Sequence, residues 1–363
     1  MKTGKRRLAA FTVVAATMLL ALVGVVTPAW AEEGSTTPHL PVTGGKVTIT
    51  STLTMNKDAV EPNAQFGYSI SPADTNEPTS TSGMPVTPGV IDAVTLSPSS
   101  VNFSAQGLDS VDNTDGTTKT ITAQLSASLN TSMFTAPGIY RYKITQTPPQ
   151  LDGLNVTYQE LFLDVYVENG NPGLVAKGCT LSTAVGSGVK TSGFVNKYAT
   201  HKLTITKVVA GNQGDKNKGF EFTVTIKGAG GETYKYATVK NGVTTPNENK
   251  AVSGTAISVS LKNGESVIFY GLSSEDKFAV TEKDYGGDGY KTSYKIGDDT
   301  SSTEGNSIAE KGIGTSDTTV TFTNTKEATV PTDVIRTVAP YVAIVAFAAV
   351  MGVVFFRPRR NRR

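Results

Sequence analysis

The sequence predicts an all-β protein that contains two tandem immunoglobulin-like β-sandwich domains. At 363 residues the chain is long enough for two domains, each with its own core. Short stretches of alternating polar and apolar residues are separated by Gly, Asn, Asp and Pro, and no segment between the two ends keeps a helical period. This pattern is typical of antiparallel sandwiches.

A weak internal repeat places the boundary between the two domains. Four short segments of residues 46–200 recur in the same order within residues 201–326. Almost no sequence separates the two units, so we expect a short and fairly stiff joint between them. The matched segments are Val47–Ser51 with Leu203–Lys207, Phe66–Ser69 with Phe220–Thr223, Tyr142–Gln146 with Phe278–Glu282, and Phe194–Asn196 with Phe322–Asn324.

Residues 1–31 are predicted to be a signal peptide. Basic residues at the start precede an apolar stretch over residues 8–26, and the small residues Ala29 and Ala31 follow it. This order predicts cleavage between Ala31 and Glu32. An uncleaved anchor helix is the alternative. Residues 32–45 are interpreted as a linker that is rich in Pro, Thr and Gly.

Residues 327–363 have the layout of a membrane-directed tail. An apolar stretch over residues 338–356 is just long enough to cross a bilayer, and a cluster of arginines follows it. A Val-Pro-Thr-Asp motif over residues 330–333 lies just before this stretch. Together these features resemble the sorting signal that sortases read. The resemblance implies that a sortase thiolate attacks the Thr332 carbonyl and cuts the chain before Asp333, although Gly is usual at that position. A plain single-pass anchor is the alternative.

A second short match to a sortase motif occurs near the N-terminus. Residues 40–44 read Leu-Pro-Val-Thr-Gly, which is closer to the best-known sortase pentapeptide than the C-terminal motif is. No membrane span follows this match, and a cut there would detach nearly all of the protein. We therefore interpret these residues as part of the linker.

Three polar residues of the second unit fall on strand faces that are otherwise apolar, because residues two apart in a strand share a face. Buried Lys and Glu are costly unless they are paired. One explanation is therefore a buried Lys–Glu pair, or strand ends that reach solvent. The shared faces are Leu203, Ile205 and Lys207; Phe278, Val280 and Glu282; and Val320, Phe322 and Asn324.

The other explanation for these three residues is chemical. Burial favours the neutral form of the Lys207 amine and the protonated form of Glu282. A neutral amine can attack the side-chain amide of Asn324 while a protonated carboxyl group shuttles protons and ammonia leaves. The product would be a covalent amide bond between the first and the last strand of the unit.

The Ile-Thr-Lys, Val-Thr-Glu and Phe-x-Asn segments of the second unit resemble the Lys–Asn isopeptide (CnaB-type) domains of Gram-positive pilins and adhesins. With the signal peptide and the sorting tail, the whole chain resembles a Gram-positive major, or backbone, pilin. The resemblance implies that Lys207 is the nucleophile, Asn324 the electrophile and Glu282 the assisting acid and base.

The first unit departs from this pattern. Its equivalent positions hold Ser51, Gln146 and Asn196. A serine cannot form the Lys–Asn amide and a glutamine cannot shuttle the proton, so we predict no isopeptide bond there and expect a hydrogen-bonded cluster instead. Lys57 could replace the missing amine, but it follows the strand in a turn-like stretch where a solvated lysine is expected.

Polymerisation of such a pilin needs an amine that attacks the sortase-bound Thr332 of another copy. In the pilins that this chain resembles, that lysine lies in the N-terminal domain near its last strand. Lys190 is our candidate, and Lys177 and Lys197 are the alternatives.

Composition argues against other chemistry. The net charge is only +2, which does not favour nucleic acid. The two histidines, His39 and His201, both lie near predicted linkers, and Cys179 is the only cysteine. Neither a metal site nor a catalytic centre is expected, and no cofactor.

The sequence therefore predicts a non-enzymatic structural subunit of a pilus on the surface and cell wall of a Gram-positive bacterium. Its expected partners are a pilin-class sortase, other copies of itself, accessory pilins and peptidoglycan, with residues 338–356 in the membrane before processing. A surface adhesin that is anchored without polymerising is the alternative.

Overall fold

The computed structural model describes residues 39–73, 86–185, 189–247, 249–328 and 341–351. The expected signal cleavage site at Ala31 and Glu32 and the expected sortase site at Thr332 and Asp333 lie outside these residues. Residues 341–351 are helical. Among the described residues, no helix has the length and hydropathy that a membrane crossing requires.

Within the residues that the structure describes, the first sandwich has thirteen strands and one short 3-10 helix, Thr131–Met133. Its inward positions are filled by alternate apolar residues, as in the second strand, where Val47, Ile49, Leu53 and Met55 are buried. The strands are β1 His39–Leu40, β2 Lys46–Asn56, β3 Gln65–Pro72, β4 Val86–Pro88, β5 Val94–Ser97, β6 Ser100–Asn102, β7 Asp109–Asp112, β8 Thr118–Leu129, β9 Gly138–Thr147, β10 Leu154–Val156, β11 Glu160–Asn169, β12 Leu174–Ser182 and β13 Gly193–Tyr198.

Two sheets form this sandwich. The seven-stranded sheet has the order β1-β12-β11-β9-β3-β6, with β4 added beside β9. The six-stranded sheet has the order β10-β13-β2-β8-β5, with β7 added beside β8. The core lies between the two sheets and includes large buried rings such as Phe66, Phe103, Tyr142 and Phe194.

The described part of the second sandwich also has thirteen strands, with a 3-10 turn at Gly286–Asp288. Its own core includes Phe222, Phe269, Phe278 and Phe322. The strands are β14 His201–Ala210, β15 Phe220–Lys227, β16 Thr233–Tyr234, β17 Tyr236–Lys240, β18 Val243–Pro246, β19 Ala251–Val252, β20 Ala256–Leu261, β21 Ser266–Leu272, β22 Lys277–Glu282, β23 Lys291–Ile296, β24 Thr303–Glu304, β25 Ser307–Gly312 and β26 Thr318–Thr325.

A seven-stranded and a four-stranded sheet enclose this second core. The larger sheet has the order β18-β17-β21-β14-β26-β23-β24, and the smaller one has the order β20-β15-β22-β25. Strands β16 and β19 form a separate two-stranded sheet. The all-β fold of two tandem sandwiches therefore agrees with the fold class that the sequence predicts.

The first long strand of each sandwich pairs in parallel with the last strand. In the first sandwich β2 pairs with β13, with Ser51 opposite Phe194. In the second, β14 pairs with β26, with Lys207 opposite Phe322. The residues that the sequence repeat matches thus occupy the same register in both sandwiches, which gives the repeat a structural basis.

The start of the first sandwich differs from the linker expected over residues 32–45. His39 and Leu40 form β1 on the edge of the seven-stranded sheet, opposite Thr180 and Cys179 of β12. Leu40 is only 8% exposed and joins the core. The reason is that an apolar side chain next to an open strand edge gains both burial and backbone hydrogen bonds.

The two sandwiches meet at a short joint. Only Ala199 and Thr200 lie between β13 and β14. The carboxylate of Asp152, in the first sandwich, accepts hydrogen bonds from the Ser274 hydroxyl (3.0 Å) and from the backbone N–H of Glu275 (3.3 Å) in the second. These contacts hold the two bodies together beside the chain connection.

Candidate functional site

The three residues of interest in the second sandwich meet in its core. Lys207 and Asn324 lie on the neighbouring parallel strands β14 and β26, and Glu282 faces them from β22 in the opposite sheet. Each of the three side chains is 0% exposed. The prediction that they face inward is therefore confirmed, and the alternation along each strand is the physical reason.

The Lys207 amine lies within reach of both partners. Its Nζ is 2.9 Å from Oδ1 of Asn324 and 3.3 Å from Oε1 of Glu282. It also donates to the backbone carbonyls of Phe322 (3.2 Å) and Val208 (3.1 Å). Its Nζ sits 4.5 Å from the centroid of the Phe220 ring. Backbone acceptors and an aromatic face thus hold the amine against the amide of Asn324.

The remaining polar atoms of the site are poorly satisfied. Both carboxyl oxygens of Glu282 and Nδ2 of Asn324 are buried without a hydrogen-bond partner, since the 3.3 Å contact between Oε1 and Lys207 lacks hydrogen-bond geometry. Each unsatisfied buried polar group costs about 1–3 kcal/mol. The separate side chains therefore leave part of their hydrogen-bonding capacity unused inside the core.

Burial also changes the protonation of the pair. Burial lowers the pKa of Lys207 to about 8, with the Glu282 carboxylate acting in the opposite direction. Burial raises the pKa of Glu282, and the nearby Lys207 partly offsets that rise. Both shifts favour neutral forms, because a low-dielectric interior disfavours charge. A neutral amine and a protonated carboxyl group are the forms that attack on an amide requires.

The equivalent positions of the first sandwich hold a closed hydrogen-bond network. Ser51, Gln146 and Asn196 are all buried. Gln146 Nε2 donates to Asn196 Oδ1 (2.9 Å), and Asn196 Nδ2 donates to Gln146 Oε1 (3.1 Å). The Ser51 hydroxyl donates to Gln146 Oε1 (3.4 Å). The expected cluster is present, and it contains neither an amine nor a carboxyl group.

Tyr68 is a fourth member of this cluster that sequence reasoning missed. Its hydroxyl donates to Ser51 Oγ at 2.8 Å, and burial raises its pKa to about 12, so it stays a donor. Its ring packs 5.7 Å from Phe194, as Phe222 packs 5.3 Å from Phe322 in the second sandwich. The sequence signal that could have found Tyr68 is that it stands where the matched segment of the second sandwich has Phe222.

Lys57 lies in the turn directly after β2, outside these contacts.

The candidate linking lysines lie near the end of the first sandwich. Lys190 is half-buried, pairs with Ser182 as an isolated bridge, and its Nζ is 3.5 Å from Oγ1 of Thr180. Lys177 and Lys197 are exposed on β12 and β13. All three belong to the first sandwich, whereas the buried site lies in the second.

In both sandwiches the first long strand and the last strand thus bring buried polar residues together. Residues 47–199 match the family model described as a Spy0128-like isopeptide containing domain. Residues 201–326 match a domain of unknown function, DUF7601. The first match covers the sandwich that has Ser51 and Gln146 in place of the lysine and the glutamate.

The most informative relatives are streptococcal pilins. The chain is 29% identical to a pilin of Streptococcus pyogenes serotype M1 over 337 residues, which cover 88% of this chain and 92% of that protein. It is similar to the crystal structure of the major pilin from Streptococcus pyogenes, with a TM-score of 0.52 and 26% identity over 79% of this chain and 100% of that one.

A third relative is the pilus tip adhesin Cpa of Streptococcus pyogenes, which is 35% identical over 135 residues. These residues cover 37% of this chain and 18% of that protein. Together the comparisons confirm the resemblance to Gram-positive major pilins, of which this chain is a homologue along most of its length.

Proposed function

We propose that the chain is the structural subunit of a sortase-assembled surface pilus of a Gram-positive bacterium, polymerised covalently and anchored to the cell wall. The observation that carries this proposal is the buried contact between Lys207 Nζ and Asn324 Oδ1 at 2.9 Å, with Glu282 facing both, in a homologue of major pilins. A covalent bond between the first and last strands, β14 and β26, would let the second sandwich resist pulling, which suits a subunit of a polymer under tension.

Bond formation uses only the three side chains. The neutral Lys207 amine attacks Cγ of Asn324, while the protonated Glu282 donates a hydrogen bond to the amide oxygen. Glu282 then moves a proton from the attacking nitrogen to the leaving one. The Cγ–Nδ2 bond breaks, ammonia leaves, and the product is a secondary amide between the two side chains.

The cross-link would stabilise the second sandwich strongly. It closes a loop from Lys207 to Asn324 that spans nearly the whole domain. By analogy with disulfide loop closure, such a constraint contributes about 4–5 kcal/mol to the free energy of unfolding. An amide is not reduced by thiols, so the stabilisation persists in any redox environment.

Polymerisation would proceed through the tail of one copy and a lysine of the next. A pilin-class sortase forms a thioester at Thr332, releases the chain from Asp333 onwards, and transfers the acyl group to Lys190 of another copy. Transfer to peptidoglycan instead would anchor the finished polymer. Accessory pilins are further acceptors, and residues 338–356 hold the unprocessed subunit at the membrane.

Mass spectrometry tests the internal bond. The purified chain is expected to weigh one ammonia less than its sequence predicts, and a peptide joining Lys207 to Asn324 is expected in digests. The Lys207→Ala variant should have the full mass, whereas the control variant Lys295→Ala, which changes an exposed lysine, should retain the loss. A wild-type chain with the full mass would rule out the bond.

Cell-wall extracts test the polymer. A ladder of SDS-resistant multimers is expected, and digests should contain Thr332 joined to Lys190. Lys190→Ala should collapse the ladder, while Lys177→Ala and Lys197→Ala should leave it intact. A single band in the wild type would contradict polymerisation.

A non-polymerising surface adhesin is the second candidate function. The 35% identity to part of the pilus tip adhesin Cpa favours it, although the match covers only 18% of that protein. The wild-type ladder separates the two candidates, because an adhesin anchored singly gives one band.

A further inference from the structure

The Leu-Pro-Val-Thr-Gly segment at residues 40–44 is built into the first sandwich. Leu40 belongs to β1 and lies opposite Cys179 of β12, and its side chain is 8% exposed within the core cluster. A segment with the sequence of a transpeptidase substrate thus begins in a strand of the sandwich.

The bond that a transpeptidase would cut lies in a tight turn. The backbone N–H of Thr43 donates to the carbonyl of Lys46 (2.9 Å), and the N–H of Lys46 donates back to the carbonyl of Thr43 (3.1 Å). Gly44 and Gly45 occupy the centre of this turn at φ +56° and +72°, where residues with a side chain are strained. The carbonyl that a thiolate must attack is therefore an acceptor inside a closed hydrogen-bonded pair.

The access of an enzyme to residues 40–44 is limited by the conformation of the segment, not by burial beneath other residues. Pro41, Thr43 and Gly44 are exposed, so an enzyme could approach them. Enzymes that read a linear motif bind it as an extended segment and take its side chains into pockets. Here Leu40 is held in the core and the chain reverses at Gly44, so the motif must first leave β12 and open its turn.

We propose that residues 40–44 are a second transpeptidation site, which the fold keeps latent and which local opening of β1 makes competent. This proposal rests on the proposed function in one respect, because it also requires that a sortase encounters the chain. The folded state would thereby confine the enzyme to the C-terminal tail, although the N-terminal motif matches the recognition sequence better.

The reaction at the opened site requires a cysteine transpeptidase as the nucleophile and a primary amine as the acceptor. The enzyme thiolate attacks the Thr43 carbonyl carbon, the bond between Thr43 and Gly44 breaks, and the Gly44 nitrogen takes up a proton. The chain from Gly44 onwards leaves with a free amino group. The amine then attacks the Thr43 thioester and releases the thiolate, so the segment that ends at Thr43 becomes attached to the amine.

The test uses a purified cysteine transpeptidase that recognises Leu-Pro-x-Thr-Gly, with triglycine as the amine. Its substrates are the full chain in detergent and a free peptide of residues 38–46. Mass spectrometry reports triglycine attached to Thr43 separately from any product at Thr332, so failure of the C-terminal site leaves this result readable. We expect the peptide to react at least about 100-fold faster than the folded chain, because the chain reacts only through a minor open state.

A matched pair of variants tests the role of the turn. Gly45→Val leaves residues 40–44 unchanged but places a β-branched residue at positive φ, so it should speed modification of Thr43 by about 10-fold or more. Gly107→Val makes the same change at φ +88° in a distant exposed turn and should have no effect on that rate.

Three results would overturn the proposal. A peptide that the enzyme does not modify would show that the motif is not a site. A folded chain that reacts as fast as the peptide would show that the site is not latent. Equal rates for Gly45→Val and Gly107→Val would show that the turn does not control it.

Discussion

At the scale of single residues, Lys207 and Glu282 must share one proton for the proposed reaction to begin. The reactive form has a neutral amine and a protonated carboxyl group, so the pair as a whole carries a single proton. The ion pair that competes with this form also carries one proton. Acidification adds a second proton to the pair, and alkaline conditions remove the first.

This proton count predicts a bell-shaped pH profile for bond formation. The rate should fall above about pH 8, where the pair loses its proton, because burial lowers the pKa of Lys207 to about 8. It should also fall in acid, below the raised pKa of Glu282. The measurement is the rate of ammonia loss by intact mass after the never-folded chain is recovered from inclusion bodies and refolded at each pH.

Replacing Glu282, the residue that shuttles the proton, should change both the rate of bond formation and the way that this rate depends on pH. Glu282→Gln keeps a hydrogen-bond donor but cannot move protons, so we expect bond formation to slow by about 100-fold or more. The residual rate should rise with pH, since only the neutral amine is then required. If the variant formed the bond at the wild-type rate, Glu282 would have no part in the mechanism. If its rate still fell above about pH 8, the fall on the alkaline side of the profile would belong to another group.

At the scale of elements, β2, β9 and β13 of the first sandwich present the same geometry with different side chains. Ser51 and Asn196 occupy the register of Lys207 and Asn324, and Gln146 faces them from the opposite sheet. The first sandwich therefore has the same backbone arrangement as the second, but it lacks the lysine amine and the glutamate carboxyl group.

We predict that three substitutions install a second isopeptide bond. Ser51→Lys supplies the amine, Gln146→Glu supplies the shuttle, and Tyr68→Phe removes the hydroxyl that now occupies the site at 2.8 Å from Ser51. The triple variant should lose two ammonia molecules and gain about 4–5 kcal/mol in the free energy of unfolding of the first sandwich. The matched control, Ser51→Lys with Tyr68→Phe, should lose only one ammonia and be destabilised by a buried charge. Loss of one ammonia in both variants would show that the shared register and the three side chains are not sufficient to form the bond.

The sequence predicts a feature well when the feature depends on neighbouring residues of one strand, and poorly when it depends on residues that are far apart in the chain. Alternation along β14, β22 and β26 was enough to place Lys207, Glu282 and Asn324 inward, because side-chain direction in a strand is a local property. The roles of Leu40 and Tyr68 were not predicted. Leu40 finds its place only beside β12, far along the chain, and the Tyr68 hydroxyl matters only once Ser51 lies next to it.

At the scale of the whole molecule, Asp152 supplies hydrogen bonds that cross the joint between the sandwiches. Asp152→Ala would remove two hydrogen bonds across it, each contributing about 1 kcal/mol. We expect the variant to fold normally but to show a broader range of interdomain orientations by small-angle X-ray scattering. Asp298→Ala, which changes an exposed turn residue, is the control, and an unchanged scattering profile for Asp152→Ala would show that the chain connection alone fixes the joint.

The linkage proposed for the polymer also decides which sandwich carries load. If tension enters at Lys190 and leaves through the tail, it runs along β13 to β14, crosses from Lys207 to Asn324, and continues to Thr332. The proposed cross-link would then bypass the core of the second sandwich, and residues 39–189 of the first would lie outside the path. On this route the Ser–Gln–Asn cluster of the first sandwich would carry no load.

Single-molecule pulling between residues 190 and 328 tests this route. Lys190→Cys and Ala328→Cys supply two attachment thiols, and the native Cys179 does not compete because it is buried and its thiol pKa is raised to about 12. The wild-type background should not lengthen by unfolding of the second sandwich. The Lys207→Ala background should release about 40 nm, the extended length of the residues between positions 207 and 324. Release of that length in both backgrounds would mean that no covalent bond spans the second sandwich, and its absence in both would mean that hydrogen bonding between β14 and β26 alone withstands the applied force.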